Sequence, residues 1–443
     1  MARTPKPLAH SAALILGVLL LFAFEQPKAA SLEDTLLKKG ILTEEEWREI
    51  KAEKRKVPVE EKKNEREGEE EFPVVVDYER PGFSIYTRDG NWKTTIKFRF
   101  QFRASYPMEG DPVTPSDFRA PEETTFNVRR ARLKISGYGY RPWIKYKIEY
   151  DWPTNRLLDY RVTLARFDWL QLRLGQWKLE YNRERIESSG AYQFVDRSIV
   201  SRVFTIDRQT GVELRGHLFP GTFADSRYYV GAFTGMGRGR IDNDDDQLMY
   251  MARLQWNFLG RDVGFSQGDV EYHEEPAGSI AFAAVTNESQ CTRFSSSGCG
   301  NLEGFPAPDD AEPGQFRINQ AMGELAFKYR GLSLEGEYHR KEIKDHVNDT
   351  KTDLAGAYAQ AGYFFHYLLP VIPKPLEVAA RYAFVDPNTS VPDDRRKEYT
   401  AALSWYFAGH NNKLTLDASH LTLAQPGSDL ADNRVRLQWD ITF

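Results

Sequence analysis

The final eleven residues, 433–443, alternate without interruption between apolar and polar side chains. Val435, Leu437, Trp439, Ile441 and Phe443 fall on one side, and Arg434, Arg436, Gln438, Asp440 and Thr442 on the other. Side chains on a strand point to opposite faces with a period of two, so this segment is a ribbon with one oily and one wetted surface. Its length matches a tilted membrane-spanning strand of roughly 9 to 11 residues. In hydrocarbon every backbone N–H and C=O must be paired within the protein, so such a ribbon can cross a bilayer only as part of a closed barrel.

The opposite end reads as an export signal. Arg3 and Lys6 give a basic start, residues 12–24 are an apolar run too short for a spanning helix, and the small residues Ala29, Ala30 and Ser31 follow. Residues 1–30 are therefore expected to be a signal peptide. Pro27 or Lys28 stands three positions before the cut, where a small residue is usual, so an uncleaved anchor is the alternative. Beyond residue 30 no run approaches the ~18 apolar residues of a membrane helix. The mean hydropathy of -0.57 fits a barrel, because half of each strand faces a wetted interior. An export signal together with a terminal strand ending at Phe443 resembles bacterial outer-membrane barrels, and predicts outer-membrane lipid and the β-barrel assembly machinery as partners.

A formal net charge of -5 excludes a globally basic nucleic-acid binder, so any anion site must be a local concentration of Lys and Arg. Only two cysteines occur, Cys291 and Cys299, in a Ser- and Gly-rich stretch. In an exported chain they predict a disulfide closing a loop tip. No His or further Cys lies nearby to complete a metal site. No nucleophile elbow, phosphate-cradling loop or zinc signature is present, and the chain reads as having no cofactor and no enzymatic activity. Glu335 and Glu337 share a strand face, but such carboxylate pairs arise by chance in an acid-rich chain. The run from Asp242 to Asp246 lacks the Gly and distal Glu of a calcium loop and reads as a solvated outer loop.

Residues 31–71 differ from the rest. Leu32, Leu36, Leu37 and Ile41 precede a capping-box spacing at Thr43 to Glu46 and a second helical piece with Trp47 and Ile50, after which 51–71 is dominated by Glu and Lys. This predicts a short helical, periplasmic segment and a charged linker, with residues 72–443 as the barrel. From about residue 83 strand follows strand. In 95–106, Ile96, Phe98, Phe100 and Phe102 oppose Lys97, Arg99 and Arg103. In 129–137, Ala131, Leu133 and Ile135 oppose Arg130, Arg132 and Lys134. In 143–152, Ile144, Tyr146 and Ile148 oppose Lys145 and Lys147. About seventeen such runs can be counted. Closed bacterial barrels use even numbers of strands, so the weakest, at 268–272, is set aside and sixteen remain, enough for an aqueous channel. The long connection 178–208 carries Arg183, Arg185, Arg197, Arg202 and Arg208, and is expected to fold inward and constrict the pore.

Several segments then resemble a known family: Phe126-Asn127-Val128-Arg129-Arg130-Ala131-Arg132-Leu133, Leu172-Arg173-Leu174-Gly175-Gln176-Trp177-Lys178, Glu184-Arg185-Ile186-Glu187-Ser188-Ser189, Val230-Gly231-Ala232-Phe233-Thr234-Gly235 and Tyr329-Arg330-Gly331-Leu332. In this order and spacing the chain is similar to the phosphate-selective porins, the O and P family of outer-membrane channels. The resemblance implies a homotrimer of sixteen-stranded barrels passing small inorganic anions such as phosphate or pyrophosphate.

Arginine suits phosphate because its planar fork can bind two oxygens together, and conduction favours several moderate sites in series over one deep trap. The candidate anion pathway is Lys97, Arg99, Arg103, Arg130, Arg132, Lys134, Lys145, Lys147 and Arg173 on the wall, with Arg183, Arg185 and Arg197 on the constriction loop. Glu149, Asp151, Glu213, Glu324, Glu335 and Glu337 share the lumen-facing parity and argue the other way. A general porin without anion selectivity, or a structural or adhesive barrel, is the alternative.

Overall fold

The structure is a computed structural model that describes Thr43 and residues 73–443, apart from residues 79–80 and 241. The expected signal peptide and, apart from Thr43, the helical prelude with its capping box lie outside the described residues.

Alternation is realised as one meander. A small pair, β1 (Val74–Asp77) and β2 (Phe83–Thr87), precedes nine long strands: β3 (Lys93–Tyr106), β4 (Thr125–Gly139), β5 (Arg141–Asp151), β6 (Arg156–Phe167), β7 (Leu170–Lys178), β8 (Arg208–Leu218), β9 (Ser226–Phe233), β10 (Met249–Trp256) and β11 (Ala277–Ser289). A loop hairpin of β12 (Arg293–Ser295) and β13 (Gly298–Gly300) comes next. Seven more strands complete the wall: β14 (Phe316–Tyr329), β15 (Leu332–Asp345), β16 (Thr350–Tyr363), β17 (Leu376–Asp386), β18 (Arg396–Tyr406), β19 (Asn412–Leu423) and β20 (Leu430–Thr442).

Each long strand pairs antiparallel with its neighbours, and β20 returns to β3, with Thr442 opposite Arg99 and Val435 opposite Tyr106. That pairing closes a sixteen-stranded barrel and leaves no edge. Beyond Phe443 the same side of β3 is taken by β2, with Phe83 opposite Ile96. The weak run at 268–272 forms no strand; it lies in the connection from β10 to β11.

Register obeys the predicted parity. The outward side chain of Phe282 is 66% exposed and that of Leu254 55%, whereas the inward Arg99, Arg103, Arg434 and Arg436 are buried. Moving a strand by one residue would place those guanidinium groups in lipid, at roughly 2 to 4 kcal/mol each near the midplane.

The lumen is not empty. Residues 179–207 leave β7, turn into the barrel and return to β8, carrying two short helices, α1 (Arg183–Ile186) and α2 (Ile199–Phe204). Leu179, Tyr181, Val200, Val203, Phe204 and Ile206 pack against inward side chains such as Met249, Val285, Phe316, Ile343, Leu354 and Val385, forming one apolar core between loop and wall. Two inward glycines of β16 make room for it. A Cβ on Gly356 would lie 2.5 Å from the Phe204 ring, and one on Gly362 would lie 1.8 Å from Nε2 of Gln193.

Two connections depart from expectation. The disulfide between Cys291 and Cys299 forms as predicted and closes a hairpin whose tip, Ser296 and Ser297, is exposed, but the base of that hairpin is packed inward. Cys291 is wholly buried, and the hairpin turns down onto α2 with Phe294 in the apolar core. Residues 257–276, not recognised as a loop from sequence, enter the barrel from the opposite mouth. There Gln267 N–H donates to the Ala191 carbonyl at 3.0 Å, and its side-chain oxygen accepts from Gln193 N–H at 2.9 Å.

Gly356→Leu should lift α2 from its seat, since overpacking of this kind costs about 1–3 kcal/mol. The expected result is a folded barrel with larger single-channel conductance in a planar bilayer; unchanged conductance would show that the glycine seat does not hold the loop.

Candidate functional site

The inward loop is held along one half of the barrel by a row of carboxylates. Glu324 of β14 accepts from Arg183 N–H at 3.1 Å, and Glu337 of β15 from Glu184 N–H at 2.7 Å. Glu377 of β17 accepts from the Gln193 amide at 2.7 Å, Glu398 of β18 from Ile199 N–H at 2.9 Å, and Asp417 of β19 from Val195 N–H at 3.0 Å. These five acidic side chains share lumen-facing parity with the cations, yet the loop covers them. Of the carboxylates expected to oppose an anion, Glu324 and Glu337 are thus occupied by the loop, while Glu335 binds the Tyr358 hydroxyl at 2.7 Å.

What stays open is the other side, against β4 to β8. Two adjoining chambers of about 240 and 250 Å³ lie there, one toward the mouth that carries the long loops and one deeper. Arg132, Lys178, Ser189 and Arg208 line both, and so form the waist between them. The linings together hold thirteen Lys and Arg and four carboxylates.

The carboxylates are all engaged. Arg132 bridges Glu149 at 3.0 Å and Asp151 at 3.1 Å; Lys147 bridges Glu149 at 2.9 Å and Asp159 at 2.6 Å. Asp159 also takes Arg208 at 2.6 Å, and Glu180 takes Arg173 and Arg215, both at 2.7 Å. Among the described residues, Arg130, Lys134, Arg156, Arg161, Lys178 and Arg197 line the chambers with no carboxylate in salt-bridge range. Lys178 is aimed by the Glu187 carbonyl at 2.7 Å, and Arg197 by the Glu184 carbonyl at 3.1 Å and the face of Tyr192.

The residues singled out from sequence therefore separate into groups. Arg130, Arg132, Lys134, Lys147, Arg173, Arg185 and Arg197 line the chambers. Arg99 is committed to Asp440 and, at 2.8 Å, to Ser189 Oγ. Arg103 holds Gln438 at 2.9 Å, Asp196 at 3.0 Å and the Val195 carbonyl at 3.0 Å. Arg183 is buried against Glu324 and the Gly264 carbonyl, away from both chambers. Lys97 is opposite Lys134 of β4 and Lys145 opposite Tyr138 of β4, and both lie outside the two linings.

Arg129, Arg156, Arg161, Lys178, Arg208 and Arg215 line the chambers without having been singled out as pathway residues. Arg161 and Arg215 have lumen parity, but a bulge between β5 and β6 obscures the alternation of β6. Lys178 and Arg208 share the parity of outward Leu174 and Val212; the inward turn of the chain at 179 and its return at 207 carry both into the waist.

The sequence profile of the family described as Phosphate-selective porin O and P matches residues 110–264 and 309–441, well over half of the chain. The chain belongs to this family of outer-membrane channels. No curated protein sequence matches this porin significantly. Among solved structures, the outer membrane channel DcaP of Acinetobacter baumannii is 13% identical with a TM-score of 0.51, over 81% of this chain and 99% of that one, and shares the fold. An anion-selective porin from Comamonas acidovorans is 10% identical with a TM-score of 0.48, over 79% and 99% of the two chains. OmpF of Salmonella typhi is 10% identical with a TM-score of 0.49, over 81% and 100%.

Charge in the porin's constriction loop is set by its surroundings. Burial alone would raise Asp196, but Arg103 and Arg130 outweigh it and hold the carboxyl well below the usual carboxylate range. Burial, reinforced by Glu335, pushes the Glu187 carboxyl well above that range. One of its oxygens accepts from Gln267 N–H and the other has no partner, as suits a protonated acid.

A group with a raised value in the folded state stabilises fully below its ordinary value and loses that contribution as pH climbs through the raised one. After correction for the intrinsic base-catalysed rate, residues 183–204 should therefore lose hydrogen-exchange protection as pH climbs through the raised Glu187 value, and Glu187→Gln should abolish this loss. Identical pH profiles for the two proteins would exclude Glu187 as the cause.

Proposed function

We propose that this porin is a diffusion channel for small hydrophilic anions, with phosphate or pyrophosphate as the preferred class. The observation that carries the reading is the excess of thirteen cations over four carboxylates around the two chambers, with all four carboxylates already in ion pairs.

An anion entering the waist loses part of its water shell, and Arg132, Lys178 and Arg208 replace it with charge-assisted hydrogen bonds while Ser189 contributes a hydroxyl. Arg130, Arg156 and Arg197 draw the ion into the outer chamber, and Lys134, Lys147, Arg161 and Arg173 receive it beyond. Because Arg132 and Arg208 are shared with carboxylates, the anion meets attenuated charge and can leave again. Cations are repelled throughout. Arg99, Arg103 and Arg183 act through the loop they hold, and Lys97 and Lys145 add charge outside the chambers.

The same reading takes residues 1–30 as a signal removed on export and residues 31–71 as periplasmic. It has the strand ending at Phe443 recognised by the assembly machinery, and three barrels assembling as a homotrimer. Family membership supports the last of these.

In a planar bilayer under a KCl gradient, the reversal potential should take the sign of chloride selectivity, and added phosphate should depress the chloride current. Lys178→Gln should weaken the phosphate block about tenfold, since a hydrogen bond to a charged group contributes about 1.5–3 kcal/mol. A cation-selective reversal potential, or phosphate without effect on the chloride current, would replace this reading with that of a general porin.

A further inference from the structure

We propose that the hairpin closed by Cys291 and Cys299 is the size filter of the channel: it walls the outer chamber and, through the constriction loop, positions the narrow waist. The proposal rests on the channel reading above.

Four observations carry it. The hairpin tip, Ser296 and Ser297, is exposed and lines the outer chamber. Behind the tip, Phe294 is buried in the core shared with the constriction loop, and its carbonyl accepts from Asp207 N–H at 3.0 Å. Asp207 in turn binds Arg185 through one carboxylate oxygen and lies 3.5 Å from Arg208 through the other, so the hairpin sets where two pathway cations stand. Finally, Lys341 of β15, wholly buried, donates to the carbonyls of both Val203 at 3.1 Å and Thr292, pinning α2 and the hairpin to one point of the wall.

The hairpin strands are only three residues long, Arg293–Ser295 against Gly298–Gly300. An isolated ladder of that length does not hold itself together in water. The covalent bond, from Cys291 just before the first of these strands to Cys299 in the middle of the second, supplies the closure, and the Phe294 contact transmits it to Asp207. With the bond open, the tip is free to swing from the chamber and the backbone restraint on Asp207 goes with it, so the pathway widens at two levels. Ser296 and Ser297 offer hydroxyls and no charge toward a chamber whose wall is mainly arginine, which suits a rim that sorts by size and leaves charge selection to the waist.

The test uses the full-length porin in bilayers and liposomes, with a membrane-impermeant phosphine as reductant. Phosphorus is oxidised to the phosphine oxide with oxygen from water, two electrons pass to the S–S bond, and the two protons end on the thiols of Cys291 and Cys299. Reduction, verified by alkylation of two thiols per chain, should raise single-channel conductance at least twofold and admit a neutral disaccharide that the oxidised channel excludes in liposome swelling. Full reduction with unchanged conductance and swelling overturns the proposal.

Ser297→Trp keeps the bond intact and places bulk at the tip. It should lower conductance at least twofold, and no change would remove the tip from the chamber wall. An oxidised protein that conducts nothing would instead count against the channel reading itself.

Discussion

The row of carboxylates on the inward faces of β14, β15, β17, β18 and β19 is the interaction on which the rest of this structure depends. A loop of some thirty residues inside a water-filled barrel has many backbone N–H groups to satisfy and little reason to choose one wall. Glu324, Glu337, Glu377, Glu398 and Asp417 each take a donor of that loop. A hydrogen bond to a charged group contributes about 1.5–3 kcal/mol, so five in series fix the loop against half of the barrel. β16 alone in that stretch offers no such carboxylate. It offers Gly356 and Gly362, and the loop's Phe204 and Gln193 fill the space their missing side chains leave.

Docking the loop also sorts the charge of the lumen. The inner wall carries acids and bases all round, and an unobstructed channel of this composition would present both to a passing ion. Once the loop covers the acidic half, the remaining passage runs along β4 to β8, where Lys and Arg predominate and the few acids are neutralised by Arg132, Lys147, Arg173 and Arg208. A mildly acidic chain thus holds a basic passage. Charge balance over the whole sequence is a poor guide to a pore, because only the lining that remains wet acts on the solute.

Much of the architecture was legible from residue order. Alternation identified the face of Arg99, Arg103, Arg130, Arg132, Lys134 and Arg173, since a half-oily strand has one register that keeps charge out of lipid. The even-strand requirement removed the weak run at 268–272, and the inward fold of 178–208 was foreseen from its arginines. Less of the site was legible. Arg183, Arg99 and Arg103 have the right face but serve as anchors, a distinction that depends on partners the fold brings close: Glu324 of β14, Asp440 on the adjoining β20, and Asp196 of the inward loop. Arg161 was hidden by a bulge, Lys178 and Arg208 by strand ends that bend inward, and the plug formed by residues 257–276 by its lack of any periodic pattern.

The sequence by itself determined that this chain closes into a membrane barrel with a polar interior, because alternation and the need to pair every backbone group in hydrocarbon favour closure; the figure of sixteen strands came from the even-number rule applied to about seventeen runs. It also determined the disulfide and the set of cations that can face water inside. Tertiary structure alone decided which of those cations line the open chambers. That choice was made where the loop came to rest, and the resting place follows from contacts between strands far apart in sequence, through short-range hydrogen bonds and close packing that no local pattern encodes.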